Sequence, residues 1–275
     1  MWTGIIDVSG LFSKTHQLEN KNKPCLVLLH GWGAHSGVWQ SVLPALVEDY
    51  NVICIDLPGH GHSAGLSQNS IEDWAKAVLE VAPDKAIWLG WSLGGLVAQQ
   101  VAIIAPDRVE KLILVASTPC FIKSTDWTNA VDEKIFKDFH AEVVRDSHAS
   151  LLRFIALQTR GSNTASQDGR LLRKTLLQPE PSSAALDLGM QLLLKTDLRN
   201  ALKKIISPVL FIAGERDTLV PCSILKMLDN IYSNVEKVAI KQAGHAPFLS
   251  HTQQFCKSIN DFCFKGTSVH YKEAK

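Results

Sequence analysis

The sequence predicts an α/β fold: a mostly parallel central sheet with helices on both faces and a helical segment inserted between two strands. Two observations favour this class. Short apolar runs typical of buried strands alternate with segments of helical periodicity over residues 25–115, and strand patterns resume after residue 207. Between them, residues 121–202 are helix-like and more strongly charged. The alternation indicates βαβ units, and its interruption indicates an insertion into a continuing sheet.

The predicted strands are short runs bounded by turn residues. Most are continuously apolar, as expected of strands buried on both faces of a parallel sheet. They cover residues 25–30, 51–57, 86–89, 111–115, 208–213 and 235–240.

The predicted helices have recognisable starts and stops. Ser70 and Asp73 form a capping signal for a helix that Pro83 ends. Residues 93–105 predict a buried helix that stops before a proline, and residues 251–264 predict a closing helix. Within the insertion, residues 161–163 and 179–181 carry loop signals. We therefore predict a core formed by residues 1–120 and 203–275, with residues 121–202 as a helical lid.

Composition excludes several classes of protein. The 275 residues include 28 Lys and Arg against 27 Asp and Glu, a net charge of +1, which argues against a general nucleic-acid-binding surface. No uncharged apolar run approaches the roughly 18 residues that span a bilayer, and the amino end lacks a basic signal region. Six scattered cysteines with no CxxC pair predict free thiols. We expect a cytoplasmic monomer that binds neither membrane nor nucleic acid.

A candidate nucleophile lies where the predicted strand 86–89 meets the following helix. Residues 90–94 read Gly-Trp-Ser-Leu-Gly, which matches the G-x-S-x-G nucleophile elbow. A serine on this tight turn projects its hydroxyl above the sheet, and the flanking glycines prevent clashes there. The strand before it and the apolar helix after it favour this interpretation over a glycine-rich turn. Ser92 is therefore the predicted nucleophile.

A serine hydroxyl needs a base to take its proton and an acid to orient that base. In elbow folds the order along the chain is serine, acid, histidine. Asp217 follows the strand 208–213 and His245 follows the strand 235–240, so both come at the carboxyl edge where open α/β sheets bind ligands. We predict His245 as the base and Asp217 as the residue that orients it.

Three nearby residues are alternatives with ordinary explanations. Glu215 is the rival acid, and an ion pair with Arg216 is its ordinary role. His251 is the rival base, but it opens a predicted helix and is expected to cap it or face solvent. His30 precedes the serine and lies in a loop turn, so we expect it to make structural hydrogen bonds.

The negative charge that develops on an attacked carbonyl needs preorganised donors. The backbone N–H of Leu93 is one candidate, at the start of the helix after the elbow, where the helix dipole also favours an anion. The second is expected from the loop 30–33, in which Trp32 occupies the position whose N–H points inward. Trp32 and Leu93 are the predicted oxyanion hole.

Other motifs do not indicate cofactor chemistry. Residues 59–64 satisfy the G-x-G-x-x-A pattern of a dinucleotide site but do not lead into a helix. His60 and His62 have no third metal ligand at a suitable spacing. Ser223 and Lys226 match S-x-x-K without its partner motifs. We predict no metal and no cofactor.

The insertion has an uneven charge. From residue 145 to 174 six basic residues stand against two acidic ones, a net charge of +4, whereas residues 123–142 have a net charge of −2. A charged helix face is usually only solvated; a docking surface for an acidic partner is the functional alternative. The mostly apolar stretch 154–158 is expected to face the cleft or the core.

These segments resemble the α/β-hydrolases, and within them the methyl ester esterases that act on pimeloyl-[acyl-carrier protein] in biotin synthesis. The resemblance extends from about residue 24 to 264 and rests on residues 26–33 (LVLLHGWG), 84–98 (DKAIWLGWSLGGLVA), 116–121 (ASTPCF), 154–159 (FIALQT) and 245–251 (HAPFLSH).

The resemblance implies a reaction and a set of site residues. The reaction is hydrolysis of the methyl ester of pimeloyl-carrier protein to methanol and pimeloyl-carrier protein, with Ser92, His245 and Asp217 in the roles given above. Implied substrate contacts are Trp32, Ser92, Leu93, Phe154, Ile155, Ala156, Leu157, Gln158 and His245.

The resemblance also implies a partner, an acyl carrier protein bearing the methyl pimeloyl group. Members of the family hold this acidic protein with arginines on the lid, and Arg153 and Arg170 match that pattern. Ala149 and Ser166 stand where other members carry arginine. Substitutes are available nearby in Arg160, Arg173 and Lys174.

Two other functions stay open at this stage. A general short-chain carboxylesterase would have the same catalytic residues beneath a helical lid. A non-catalytic protein that senses a ligand would keep the fold, although an intact serine, aspartate and histidine argue against it.

Overall fold

The computed structural model describes residues 4–6, 10–16, 20, 22–64, 70–160 and 164–265. The predicted loop at residues 161–163 lies outside these ranges. Within the described residues the centre of the molecule is one eight-stranded sheet in the order β1-β2-β4-β3-β5-β6-β7-β8. The strands are β1 (Gly4–Ile6), β2 (Phe12–His16), β3 (Cys25–Leu29), β4 (Asn51–Ile55), β5 (Ala86–Trp91), β6 (Val109–Val115), β7 (Val209–Gly214) and β8 (Val235–Ile240).

Most neighbouring strands run parallel. The pairs from β4 through β3, β5, β6 and β7 to β8 are all parallel, and β2 joins β4 and β1 in antiparallel pairs. The strands β3 to β7 are almost entirely buried, as their continuous apolar runs predicted. The α/β class with a mostly parallel sheet is confirmed.

The antiparallel edge formed by β1 and β2 was not predicted. β2 has the sequence Phe-Ser-Lys-Thr-His, and all five of its residues are only half-buried. A strand near the edge of a sheet needs no continuous apolar run, so the pattern that revealed the buried strands is missing here.

Nine α-helices lie within the described residues. They are α1 (Leu43–Asp49), α2 (Ile71–Val81), α3 (Leu93–Ile104), α4 (Glu133–Arg145), α5 (Ser147–Thr159), α6 (Ala165–Leu176), α7 (Ser183–Lys195), α8 (Pro247–Ser250) and α9 (Thr252–Cys263). The closing helix predicted at 251–264 is α9, and the short helix α8 before it was not predicted.

Helix α2 begins and ends through side-chain hydrogen bonds. Ser70 Oγ accepts from the N–H of Asp73 at 3.1 Å, and Asp73 Oδ2 accepts from the N–H of Ser70 at 3.1 Å, which completes the predicted capping box. At the other end, Arg108 Nη2 donates to the carbonyls of Leu79, Ala82 and Pro83 at 3.2, 3.0 and 2.9 Å. The guanidinium thereby satisfies carbonyls that the helix leaves without partners.

The four helices α4 to α7 all lie between β6 and β7, inside the predicted lid. The chain leaves and re-enters the core at one place, because Cys120 and Asp197 form an antiparallel bridge and the N–H of Leu198 donates to Pro119 O at 3.0 Å. The division into core and lid at residues 120 and 203 stays a prediction. It is consistent with this paired entry and exit.

Candidate active site

Ser92 lies on a strained turn between β5 and α3. Its φ of 53° and ψ of −116° are outside the regions that L-residues ordinarily occupy. Four hydrogen bonds hold the turn: the Ser92 N–H donates to Val115 O at 3.0 Å, and Ser92 O accepts from the N–H of Gly95 at 3.0 Å, the N–H of Leu96 at 3.2 Å and Ser117 Oγ at 2.8 Å. The backbone geometry is that of a nucleophile elbow.

The glycines at either side of Ser92 are required by close approach. A Cβ atom on Gly90 would lie 2.3 Å from Gly94 O, and one on Gly94 would lie 2.4 Å from both Leu29 O and His30 O. Backbone atoms cannot give way as a flexible side chain can, so any other residue would push α3 away from the sheet. The G-x-S-x-G spacing is therefore a packing requirement as well as a sequence motif.

Asp217 and His245 are brought together from separate loops. His245 Nδ1 donates to Asp217 Oδ2 across 2.8 Å, and both side chains are buried. Asp217 Oδ1 accepts from the N–H groups of Leu219 at 2.8 Å and Val220 at 3.0 Å. Because Oδ1 is fixed in this way, Oδ2 stays aimed at the imidazole.

The loop that carries His245 is held from two sides. The His245 N–H donates to Gln158 O at 3.1 Å, and Trp91 Nε1 donates to His245 O at 2.9 Å. His245 Nε2 is buried and makes no hydrogen bond to any described residue, Ser92 included. Ser92 and His245 nevertheless line the same cavity, and hydrogen bonds between such residues often tighten only when substrate is bound.

The predicted oxyanion donors are both in buried positions. Leu93 is the first residue of α3, and Trp32 is 1% exposed in the loop after β3. Neither backbone N–H donates a hydrogen bond to another described residue. Both groups are thus unengaged, as donors to a ligand must be.

The alternative acid and base have other partners. Glu215 Oε2 accepts from the N–H of Gln242 at 3.1 Å and is exposed, and His251 Nδ1 makes a 2.8 Å hydrogen bond with Ser250 Oγ between α8 and α9. Neither side chain lines the cavity that contains Ser92. The geometry therefore favours Asp217 and His245.

His30 is a buried structural residue. Its Nε2 accepts from the N–H of Leu57 at 2.8 Å, and its Nδ1 lies 2.9 Å from Gly31 O. Burial, reinforced by nearby His60, lowers the pKa of His30 to about 3, and burial lowers the pKa of His60 to about 4. Both rings are therefore uncharged at neutral pH.

An apolar cavity lies over Ser92. It has a volume of about 140 Å³, and among the described residues that line it only Ser92 and His245 are polar. The other lining residues come from the loops after β6 and β7 and from helices α4, α5 and α7: Phe121, Val131, Ile135, Phe136, Phe139, Phe154, Leu157, Met190, Leu193 and Leu219. Such a cavity suits an uncharged, mostly hydrocarbon ligand.

The predicted substrate contacts in α5 do not all face this cavity. Phe154 and Leu157 line it, whereas Ile155 and Ala156 line a separate groove against α6. Gln158 is buried and supports His245 through its backbone carbonyl. The reason is helical geometry, since residues three apart share a face and their neighbours point elsewhere.

Arg153 and Arg170 are both on the outer side of the lid. Arg153 is paired with Glu142 of α4, and Arg170 Nη1 donates to Ser166 Oγ at 3.1 Å. Arg170 also lines the groove between α5 and α6, together with Arg160 and Arg173. The second arginine predicted for docking is thus part of a basic cluster, and the first is neutralised by a neighbour.

The part of the chain that the structure describes contains no group of three or more His, Cys, Asp or Glu side chains placed to hold a metal ion. None of the helices in these ranges is long and apolar enough to cross a bilayer.

Comparison with known proteins identifies the family to which this fold belongs. Residues 24–252 match the family model for the alpha/beta hydrolase fold, which is most of the chain. The chain belongs to the α/β-hydrolase family.

Curated relatives of this α/β-hydrolase carry a more specific name. A pimeloyl-[acyl-carrier protein] methyl ester esterase of Klebsiella pneumoniae is 43% identical over 235 residues, covering 85% of this chain and 91% of that protein. A protein of the same name from Pectobacterium carotovorum is 43% identical over 247 residues, covering 90% and 96%.

Solved structures of lower identity share the fold. An esterase from Exiguobacterium antarcticum superposes with a TM-score of 0.83 at 20% identity, covering 95% of this chain and 99% of that one. A bromoperoxidase from Bacillus anthracis gives 0.83 at 22% identity, covering 92% and 95%. The fold of this α/β-hydrolase is therefore shared by proteins with different names.

Most of the cavity wall of this α/β-hydrolase was not predicted from the sequence. The lid residues of α4 that line the cavity are apolar at helical spacing, namely Ile135, Phe136 and Phe139. That stripe was a usable signal, because an apolar face on an otherwise charged helix must pack against something. Ser117, which holds the Ser92 carbonyl, carried no comparable signal.

Proposed function

We propose that this protein is a serine carboxylesterase that hydrolyses the methyl ester of pimeloyl-[acyl-carrier protein] in biotin biosynthesis. The observation that carries the proposal is the 43% identity to esterases of that name over nearly the full length of both chains. It is supported by a buried histidine–aspartate pair beside Ser92 at the base of an apolar cavity. A cytosolic monomer is part of the proposal.

The first half of the reaction forms an acyl-enzyme. Ser92 Oγ attacks the carbonyl carbon of the methyl ester while His245 Nε2 takes the hydroxyl proton. The N–H groups of Trp32 and Leu93 stabilise the oxyanion. When the tetrahedral intermediate collapses, the C–O bond to the methoxy group breaks, and the histidine returns the proton to release methanol.

The second half regenerates the serine. A water molecule attacks the acyl-enzyme carbonyl and loses a proton to His245, and the collapse of this second intermediate protonates Ser92 Oγ. Asp217 stays ionised throughout; it fixes the tautomer that places the lone pair on Nε2 and stabilises the imidazolium. The products are a carboxylate on the carrier-bound chain and an unchanged enzyme.

The apolar cavity favours the ester over the product acid. A methyl ester and its methylene chain are uncharged, and no lysine or arginine of the described residues lines the cavity. Burying an ionised carboxylate there without a partner costs several kcal/mol, even after structural relaxation. We therefore expect pimeloyl-carrier protein with a free carboxylate to inhibit weakly, with an inhibition constant roughly tenfold or more above the KM of the methyl ester. Equal affinity for the two would contradict this role of the cavity.

The proposed docking surface for the carrier protein is the basic outer face of the lid. Arg170 lines the groove between α5 and α6 with Arg160 and Arg173, so positive charge is concentrated there. Arg153 is included in the proposal, although it would have to give up its ion pair with Glu142 to bind the carrier protein. Opposite charge on a carrier protein would raise the association rate and orient the acyl chain toward the lid.

The proposal is tested by comparing kcat/KM for methyl pimeloyl-carrier protein with that for a p-nitrophenyl ester of short chain length. We expect a clear preference for the carrier-linked ester and release of one methanol per turnover. If kcat/KM for the p-nitrophenyl ester equals that for the carrier-linked ester, the protein is a general carboxylesterase. If neither is hydrolysed, the protein is not an esterase of this class.

A further inference from the structure

Gly189, in the middle of the lid helix α7, touches both predicted oxyanion residues. A Cβ atom on Gly189 would lie 2.7 Å from Trp32 Cδ1, 3.2 Å from Trp32 Nε1 and 3.4 Å from Leu93 Cδ2. The first distance is shorter than real Cβ contacts allow, so an alanine here would force α7 or Trp32 to move.

The indole of Trp32 has little room in which to move. Its Nε1 donates to Leu186 O on the same helix at 2.8 Å, and the residue is 1% exposed. Its ring meets those of Phe154 and Phe139 edge-on, with centroids 4.8 and 5.8 Å apart. Helix α7 therefore holds Trp32 by a hydrogen bond and by direct backbone packing, while α4 and α5 close the remaining sides.

A glycine in a helix interior usually weakens the helix relative to an alanine, so we expect a packing or functional reason for Gly189. The reason here is packing: the missing side chain admits the indole to within contact of the helix backbone. The neighbouring residues Met190 and Leu193 line the cavity over Ser92, which places this contact directly beside the site.

We propose that α7 is a working part of the oxyanion hole, in which Gly189 and the Leu186 carbonyl are positioning residues for Trp32 and Leu93. The inference rests on the proposed function and deepens it. The lid then acts on the chemistry itself, because the backbone N–H of Trp32 is positioned to bind an oxyanion only while α7 is packed on the indole ring. A misplacement of about 1 Å can cost roughly a hundredfold in rate, so this packing matters for turnover.

The test compares Gly189→Ala with a matched control, Gly169→Ala. Gly169 lies within the lid helix α6, where an added Cβ would only meet Thr159 Oγ1 at 3.4 Å, an ordinary contact. Both changes add the same helix-favouring methyl group. With a p-nitrophenyl ester, we expect Gly189→Ala to lower kcat roughly tenfold or more with KM within about twofold, as loss of an interaction made only in the transition state requires.

A second readout separates oxyanion stabilisation from general damage. A trifluoromethyl ketone, which forms a tetrahedral oxyanion with the serine, should lose affinity in Gly189→Ala by about the same factor as kcat. Gly169→Ala should match the wild type in both measurements. A Gly189→Ala variant with unchanged kcat, or with a raised KM alone, would overturn the inference.

A third variant keeps the test informative if Gly189→Ala fails to fold. Trp32→Phe removes the indole nitrogen that is tethered to Leu186, and should lower kcat and ketone affinity together. In that background Gly189→Ala should cost less than it does in the wild type, since the smaller ring is no longer tethered to Leu186 and can shift away from the added methyl group. Wild-type kinetics for Trp32→Phe would overturn the inference, whereas inactivity of the wild type itself toward esters would count against the proposed function instead.

Discussion

The main chains of Ser92 and His245 are held by hydrogen bonds separate from the one that joins His245 to Asp217. Ser92 is held at a φ of 53° by hydrogen bonds to Val115, Gly95, Leu96 and Ser117. His245 is held through its own N–H and carbonyl, and neither bond involves the imidazole. A substitution that keeps these backbone bonds should therefore change the chemistry while leaving the fold largely intact.

Asp217 gives the clearest test of the orienting role. An asparagine keeps the hydrogen bonds from Leu219 and Val220 to Oδ1 but presents a donor where His245 Nδ1 needs an acceptor. We expect Asp217→Asn to slow turnover by up to roughly 10⁴-fold, because the imidazole would adopt the wrong tautomer. Glu215→Gln, an exposed neighbour, is the control and should retain nearly full kcat. Comparable losses in the two variants would contradict the assignment.

His30 and His60 make the folded state sensitive to acid. Burial lowers their pKa values from 6.5 to about 3 and about 4. Between those values and 6.5 the unfolded chain binds protons that the folded protein does not, so the free energy of unfolding falls as pH decreases through this window. Above pH 6.5 the stability is fully present. The slope is at most about 1.4 kcal/mol per pH unit for each histidine.

This pH dependence can be measured from urea unfolding midpoints at about pH 7 and about pH 5. The urea concentration at the unfolding midpoint of the wild type should decrease from pH 7 to pH 5. In His60→Asn this decrease should be smaller. His62→Asn removes an exposed histidine two residues away and is the control, which should behave as the wild type. An equal fall in all three proteins would show that the buried ring does not contribute.

At the scale of elements, the lid helix α5 serves two surfaces. Helix α5 presents Phe154 and Leu157 to the cavity over Ser92 and presents Ile155 and Ala156 to the outer groove. The outer groove is also lined by Arg160, directly after α5, and by Arg170 and Arg173 of α6. Substitutions on the two faces should therefore have separable effects. Those on the inner face should change the rate of ester hydrolysis, and those on the outer face should change binding of the carrier protein.

The outer face is tested by reversing charge in α6. We expect the double variant Arg170→Glu, Arg173→Glu to raise KM for methyl pimeloyl-carrier protein roughly tenfold or more while leaving kcat/KM for a p-nitrophenyl ester within about twofold, because only the carrier protein would meet the altered charges. Arg145→Glu, an exposed lid arginine outside the groove, is the control. An equal loss of kcat/KM with both substrates would show that the substitutions damage the active site and do not act on carrier-protein docking.

At the scale of the whole molecule, sequence patterns predicted the features that local chemistry determines. Buried parallel strands need continuous apolar runs, so β3 to β7 were predictable, and the capping box at Ser70 fixed the start of α2. The elbow at Ser92 was predictable because its glycines are required by the backbone of the same turn and the adjacent strand. The family resemblance extended these predictions to the reaction.

Other features depend on contacts between distant segments, which no local pattern records. β1 and β2 pair at an edge where half-buried residues are enough. The cavity wall combines residues from the loops after β6 and β7 with residues from three lid helices. Gly189 packs against Trp32 although more than half of the chain separates the two residues in sequence. The sequence predicted a lid, but it did not predict that α7 packs on the residue expected to stabilise the oxyanion.

The most direct test of the account is methanol release from methyl pimeloyl-carrier protein by the wild type and by Ser92→Ala. We expect stoichiometric methanol and pimeloyl-carrier protein with the wild type and loss of both products with the variant. The thermal unfolding of the variant should be little changed, because only a small side chain at the cavity is lost. Residual release above a few per cent of the wild-type rate, from a folded variant, would contradict the assignment of Ser92 as the nucleophile.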